Sequence, residues 1–232
     1  MGENAFSGSL TLDSGLVGYW KFDEGTGTDI QDSSGYENDG TLTGSDSDEW
    51  TASSAPTNFT NPYALDFDGT NDYVRVTPAG STIANISGDA KFTIAGWIYA
   101  DALADYRSIL FLGDQSSALE AAALVVMNDG STGLSFAGAN NGHAAASTIT
   151  TSQWYHIAGT KTPGAINSTT NIYVNGVQKT LSSPSMSTPN IDNGSGGEGT
   201  MIASSFGTTT SGFNGLIDDV RIYNRALNAS EV

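Results

Sequence analysis

Short apolar runs separated by turn residues constrain the fold of this chain more than any other feature. Runs such as FTIAGWIYA (92–100), WYHIAGTK (154–161) and LIDDVRIY (216–223) are bounded by polar, turn-forming sequence rich in Gly, Asn, Asp, Ser and Thr. Turn residues punctuate strands, and no useful stretch has the 3.6-residue period of an amphipathic helix. About ten to twelve such strands are present, which predicts an all-β fold, a single β-sandwich.

Local patterns predict several details of this fold. The polar stretch 26–62 is expected to be mostly loop. YALDF (63–67) and DYVRV (72–76) flank DGTN, which predicts a hairpin, and Asn175–Gly176 predicts a type I′ turn. The large side chains within the strand patterns are expected in the core, and they include Trp97, Trp154 and His156.

Composition narrows the classes of partner and chemistry. The chain has 232 residues, no cysteine and a net charge of −17. Lack of cysteine excludes a disulfide scaffold, a thiolate metal site and a cysteine nucleophile. So acidic a chain repels nucleic acid and anionic membranes, and no apolar stretch is long enough for membrane insertion. Residues 1–10 show no secretory signal. If the chain is a module of a larger secreted protein, its targeting signal is expected elsewhere in that protein.

Six segments in a fixed order make the sequence resemble a known family. They are LVGYWKFDE, DSSGYENDGTL, ALDFDGTNDYVRV, FTIAGWIYAD, WYHIAGTK with NIYVNGVQ, and FNGLIDDVRIYNRALNASEV. Together they resemble the laminin G-like domains of the concanavalin A-like lectin/glucanase superfamily, in the bacterial type often appended to large secreted proteins. The resemblance covers residues 16–232 and leaves 1–15 as an N-terminal extension. It implies a jelly-roll sandwich of two curved antiparallel sheets, with the first and last strands side by side.

The resemblance also implies a function. We expect a non-catalytic, lectin-like module of a secreted or cell-surface protein that binds a polysaccharide or glycan. The alternative is a structural or adhesion module that binds an extracellular protein and has no affinity for sugar. Loop aromatics are candidates for stacking on sugar rings, although each is equally suited to cover the core: Tyr36, Trp50, Phe59 and Tyr106.

A glycoside hydrolase of the same fold is the third hypothesis, and the sequence argues against it. Enzymes of this fold commonly carry Glu-x-Asp-x-x-Glu on one strand. Here Glu37 and Asp39 begin such a motif, but Leu42 replaces its second glutamate. In a regular strand Asp218 and Asp219 point to opposite faces and cannot share a substrate. We therefore expect no catalytic residues.

The aspartate in the middle of the last strand needs an explanation. Strict alternation places Asp218 on the same face as Leu216, Val220 and Ile222, at the margin of the core. A buried carboxylate without a partner is costly or becomes protonated. A bound cation removes that cost, and calcium prefers several oxygen ligands.

The family resemblance implies where a structural calcium ion would lie. With the terminal strands adjacent, Asp23 and Asp218 would converge, and the loop DSSGYENDG would add Asp32 and carbonyls near Ser34 and Gly40. The alternative is that Asp218 accepts hydrogen bonds from loop amides, while Asp219 pairs with Arg221 or meets water.

Overall fold

The structure is a computed structural model that describes residues 13–44, 49–52, 54–76, 83, 86–113, 121–136, 146–181, 188–191, 199–204 and 212–232. These ranges contain fifteen strands and one single-turn helix. The strands are β1 (Leu16–Trp20), β2 (Asp29–Ile30), β3 (Gly40–Thr43), β4 (Trp50–Thr51), β5 (Ala64–Asp68), β6 (Tyr73–Val76), β7 (Phe92–Ala100), β8 (Arg107–Gly113), β9 (Ala121–Val126), β10 (Thr132–Phe136), β11 (Trp154–Lys161), β12 (Thr170–Val174), β13 (Val177–Lys179), β14 (Thr200–Ile202) and β15 (Asn214–Tyr223), and the helix is α1 (Ile166–Thr169).

Two antiparallel sheets pack face to face, which confirms the predicted jelly-roll sandwich. The front sheet has the order β13-β12-β11-β7-β15-β5-β4, with β1 also paired to β15. The back sheet has the order β10-β9-β8-β14-β6-β3-β2. Alternate residues of both sheets fill one large apolar core between them, including Ile94 and Ile98 from β7 and Leu124 and Leu134 from the back sheet. Among the described residues, no helix is long and apolar enough to cross a membrane.

One local expectation is wrong, and a second is right but misses three short strands. The predicted hairpin around DGTN does not form, because β5 joins the front sheet and β6 joins the back sheet. The segment between them carries the chain from one layer to the other. The stretch 26–62, expected to be mostly loop, also contains the short strands β2, β3 and β4, whose two to four residues are too few for a period to be read from sequence.

The turn at Asn175–Gly176 is confirmed, and it joins β12 to β13. Both residues have positive φ, 50° for Asn175 and 73° for Gly176. A type I′ turn requires this conformation at both central positions, and Asn and Gly tolerate it best.

The two ends of the described chain meet as predicted. Strand β1 pairs antiparallel with β15, with Tyr19 opposite Arg221 and Trp20 opposite Val220. The Trp20 indole is fully buried and donates a hydrogen bond to the Asn38 carbonyl at 2.9 Å. This bond ties the loop after β2 to the seam between the terminal strands.

A β-bulge in β15 overturns the strict alternation expected there. Asp218 lies opposite Trp97 and Arg221 opposite Ala95, so β15 has one residue more than β7 across this interval. Asp219 has the left-handed φ of 51°. The extra residue leaves Val220 in the core and moves Asp218 to the outer face of the front sheet.

Because of this bulge, the expectation that Asp218 and Asp219 lie on opposite faces of the sheet is wrong. Asp219 hydrogen-bonds to Tyr19 and Arg221, which face outward. Both carboxylates are therefore on the outer side of the sheet, and neither belongs to the apolar core.

A buried ion pair closes one end of the front sheet. Lys161 ends β11 with a fully buried side chain, and its Nζ lies 3.0 Å from Asp89 Oδ1. The ammonium also donates to the carbonyls of Thr162 and Gly164, and Asp89 Oδ2 accepts from the Gly164 amide at 2.7 Å. Removing one partner would leave an ammonium group with too few partners in a dry environment.

We expect Asp89→Ala to lower the free energy of unfolding by about 2–3 kcal/mol, since it strands the buried charge. The double variant Asp89→Ala/Lys161→Met should recover part of this loss, because the apolar methionine needs no counter-ion. Urea unfolding of the two variants and the parent chain measures both effects. A double variant no more stable than Asp89→Ala would contradict this account.

Candidate functional site

The outer face of the front sheet carries a groove of about 620 Å³. This volume is within the range of sites that hold small ligands. Its lining combines four aromatic rings with polar groups: Pro56, Thr57, Asn58, Phe59, Trp97, Trp154, His156, Asn175, Gly176, Arg221 and Val232.

The floor of the groove comes from adjacent strands β7 and β11. Ile98 on β7 and Ile157 on β11 pack in the core, so alternation turns the neighbouring Trp97 and His156 outward. These two residues are directly opposite each other in the ladder, and their ring centroids are 5.3 Å apart. Next to them Trp154 pairs with Tyr99 at 5.8 Å. These four rings on β7 and β11 form a half-buried aromatic surface, and all of them except Tyr99 line the groove.

Two walls rise beside this floor. One is the turn at Asn175. The side-chain Oδ1 of Asn175 accepts a hydrogen bond from the backbone N–H of His156 at 2.9 Å, and the backbone N–H of Asn175 donates to the His156 carbonyl at 2.8 Å. The other is the loop 55–61, which presents Phe59 with 45% of its surface exposed. The groove thus lies between a tight hairpin turn and a longer loop.

Asp218 fastens that second wall to the sheet. Its side chain is fully buried, and its Oδ2 accepts hydrogen bonds from the Ala55 amide at 2.9 Å and from Asn61 Nδ2 at 2.8 Å. Burial raises the pKa of Asp218 to about 7, although these two hydrogen bonds oppose the shift. The alternative reading of the sequence, in which loop amides donate to Asp218, is the arrangement in the structure.

Arg221 supplies the charged side chain at the groove. Its Nη2 donates to Tyr19 Oη at 2.9 Å and lies 3.2 Å from Asp219 Oδ1. The guanidinium also packs over the Tyr19 ring at 4.4 Å and the Phe59 ring at 6.0 Å. Tyr19 Oη in turn donates to Asp219 Oδ1 at 2.5 Å, so the three polar groups form one closed network.

His156 is uncharged at neutral pH. Burial lowers the pKa of its imidazole to about 4, and the positive charge of Arg221 adds to this effect. The imidazole therefore acts as a flat ring and a neutral hydrogen-bonding group.

The three carboxylates expected to hold calcium, those of Asp23, Asp32 and Asp218, do not form one three-carboxylate cluster in the described part of the chain. Asp32 is occupied within its own loop, where its two oxygens accept from the amides of Tyr19, Ser34 and Asn38 and from the Ser34 hydroxyl. Gly40 is in β3 of the back sheet. In the described ranges no three Asp, Glu or His residues are placed to hold a metal ion together.

Two of those three carboxylates still fit a cation individually. Within the described part of the chain, Asp218 Oδ1 and Asp23 Oδ1 are buried without a hydrogen-bond partner. Burial raises the pKa of Asp23, which Lys21 opposes and Asp219 and Glu24 reinforce. An orphaned carboxylate oxygen is the type of group that calcium coordinates.

A second, smaller cleft is acidic. It is lined by Glu49, Asp66, Phe67, Asp68, Asp72, Asp101 and Asn214. Burial raises the pKa of Asp66, and the charges of Asp101, Asp72 and Asp68 raise it further. Asp68 accepts a hydrogen bond from the Thr70 amide and Asp72 accepts one from the Asp68 amide, so both carboxylates stabilise the turn between β5 and β6.

Of the four loop aromatics predicted from sequence, one lines the groove. That residue is Phe59. Tyr36 and Tyr106 are 57% and 44% exposed but lie outside the groove lining. Trp50 packs against the core and donates its indole N–H to the Gly27 carbonyl at 2.9 Å.

Sequence reasoning assigned Trp97, Trp154 and His156 to the core, and that assignment is wrong. All three lie on the outer face and line the groove. The signal was available in the alternation. Ile94 and Ile98 are an even number of positions apart and share one face of the strand, whereas Trp97 is an odd number of positions from each and belongs to the other face.

Comparison with protein families agrees with the fold. A laminin G-type family model, described as concanavalin A-like lectin/glucanases superfamily, matches residues 68–232. The chain therefore belongs to this laminin G-like family. No curated protein sequence matches the chain.

Solved structures with the same fold include binding and catalytic proteins. Domain 4 of an extracellular arabinanase of glycoside hydrolase family 43 from Geobacillus stearothermophilus, solved with arabinotriose, is 23% identical, with a TM-score of 0.61 over 93% of this chain and 95% of that domain. A Trypanosoma rangeli sialidase in complex with sialic acid is 18% identical, with a TM-score of 0.63 over 94% of this chain and 32% of the sialidase. The binding domain of Paraclostridial Mosquitocidal Protein 1 is 18% identical, with a TM-score of 0.62 over 95% of this chain and 51% of that chain. At these identities the likeness shows the fold alone.

The lowered pKa of His156 predicts a specific pH dependence of stability. The unfolded chain binds this proton below about pH 6.5, while the folded domain binds it only near pH 4, so stability is complete above about pH 6.5 and falls as the pH falls to about 4. His156→Gln should remove about 1–3 kcal/mol of this acid-induced loss. Urea unfolding of both proteins over this pH range measures the difference. Parallel curves for the two proteins would contradict a neutral buried imidazole.

Proposed function

We propose that this domain binds carbohydrate without catalysing a reaction, as a module of a secreted or cell-surface protein. The observation that carries this proposal is the aromatic groove on the outer face of the front sheet, with Trp97, Trp154, His156 and Phe59 beside polar side chains.

The groove has the chemistry that sugars require. Sugar rings present apolar C–H faces, which stack on aromatic rings, and a rim of hydroxyl groups that need hydrogen-bond partners. Trp97 and Trp154 offer flat surface on neighbouring strands, while Asn175 and Arg221 offer amide and guanidinium groups at the edges. One ligand can therefore stack and hydrogen-bond at the same time.

The fold relatives support the same class of ligand. Domain 4 of the arabinanase was solved with arabinotriose, and that enzyme is described as extracellular. We propose by analogy that this chain is also displayed outside the cell and attaches a larger polypeptide to a polysaccharide.

The lining of the groove supports a non-catalytic role. Glycoside hydrolysis commonly uses two carboxyl groups on either side of the scissile bond. None of the residues that line the described groove is an aspartate or a glutamate. Release of reducing sugar from a bound polysaccharide, abolished by one carboxylate substitution, would instead assign an enzyme.

A glycan array followed by calorimetry tests the binding function. Saturable binding to at least one glycan is expected, and Trp97→Ala should weaken it about tenfold, or about 1.4 kcal/mol, because the stacking surface is lost. Tyr106→Ala is the matched control, since this exposed aromatic lies outside the groove and its removal should leave affinity unchanged. A blank array would favour the alternative adhesion module that binds protein.

We also propose that bound calcium stabilises the domain. Asp23 and Asp218 are the candidate ligands, each through its own unpartnered oxygen. Chelation should lower the melting temperature, and calcium should restore it better than magnesium, which demands a more regular octahedral shell. Thermal melts with chelator, calcium and magnesium measure this. An unchanged melting temperature in chelator would exclude a structural calcium ion.

A further inference from the structure

We infer that the groove selects uncharged glycans and rejects acidic ones, because the one cationic side chain in its described lining, Arg221, is already neutralised by Asp219. This inference rests on the proposed carbohydrate-binding function and specifies the class of sugar.

The ion pair at the groove leaves no spare positive charge. Arg221 Nη2 is 3.2 Å from Asp219 Oδ1, and Asp219 is only 3% exposed. Such a sheltered, hydrogen-bonded pair is screened little by salt. A carboxylate or sulfate on a sugar would have to compete with Asp219 for the same guanidinium.

Tyr19 and Phe59 further restrict access to Arg221. The guanidinium carbon lies 4.4 Å from the centre of the Tyr19 ring and 6.0 Å from the centre of the Phe59 ring. Nη2 donates to Tyr19 and Asp219, and the guanidinium also hydrogen-bonds to the Tyr223 side chain. Its other N–H groups are donors for which a sugar hydroxyl oxygen is an adequate acceptor.

The rest of the described lining is uncharged. His156 is neutral at pH 7 because of burial and of Arg221. The remaining side chains are aromatic, aliphatic, amide or hydroxyl groups. A neutral ligand therefore loses no ionic solvation on entry, whereas an acidic ligand would give up solvation without gaining a free counter-ion.

The surrounding field opposes anions as well. The chain has 25 acidic residues against eight basic ones, for a net charge of −17. Nothing in the described lining offsets this field, since its one cation, Arg221, is paired with Asp219. Like charge lowers both the encounter rate and the affinity for an anionic chain.

Matched pairs of glycans test this inference on the intact domain. The probes are oligogalacturonate against its methyl ester and sialyllactose against lactose, with neutral arabino-, xylo- and gluco-oligosaccharides alongside. Calorimetry should find binding among the neutral probes only. Affinity for them should change less than about twofold between 50 and 500 mM salt, because no ion pair forms with the ligand.

Asp219→Asn tests the cause, since asparagine tolerates the left-handed conformation that this position requires. Freeing Arg221 should raise the ratio of acidic to neutral affinity about tenfold. If this variant does not fold, the matched pairs and the salt dependence of the parent domain decide alone.

The outcomes distinguish failure of the selectivity from failure of carbohydrate binding itself. An acidic probe bound at least as tightly as its neutral partner, with affinity that falls with salt, overturns the selectivity and leaves carbohydrate binding intact. An unchanged ratio in folded Asp219→Asn also overturns it. Absence of binding to every probe overturns the proposed function and the selectivity together.

Discussion

One extra residue in β15 decides what the front sheet presents to a ligand. At the bulge, Asp219 adopts a left-handed conformation and shifts the alternation by one position. Val220 and Ile222 remain in the core, while Asp218 and Arg221 reach the outer face. An unbulged strand with the same core residues would place Asp218 inside the sandwich, and the loop that it fastens would lack its anchor.

The groove depends on contacts between distant parts of the chain. Tyr19 in the first strand meets Arg221 in the last, so the pairing of the terminal strands fixes both the cation and its counter-ion. Asp218 holds the loop around Phe59, and His156 is bound to the hairpin turn at Asn175. The site is thus supported on rigid strands, with only one wall made of longer loop.

The sequence predicts the parts of this structure that depend on local periodicity. FTIAGWIYA and WYHIAGTK have clear strand patterns and lie where expected, and Asn175–Gly176 forms the expected turn. Alternation applied to Trp97 and His156 would have placed them outward. The bulge could not be predicted, because no sequence pattern around Asp219 indicates that its backbone adopts the left-handed conformation. The Asp218–Ala55 contact spans 163 positions, and no local pattern encodes it.

The attachment of both loop ends to one carboxylate oxygen has a consequence for how such domains diversify. Ala55 and Asn61 donate hydrogen bonds to the same oxygen of Asp218. The segment between them is therefore an insert whose two ends are fixed to the sheet. The length, bulk and polarity of this insert can vary without disturbing the sandwich, because the strands and the two anchoring hydrogen bonds lie outside the insert. Exchange of this insert would therefore change the groove wall while leaving the two sheets as they are.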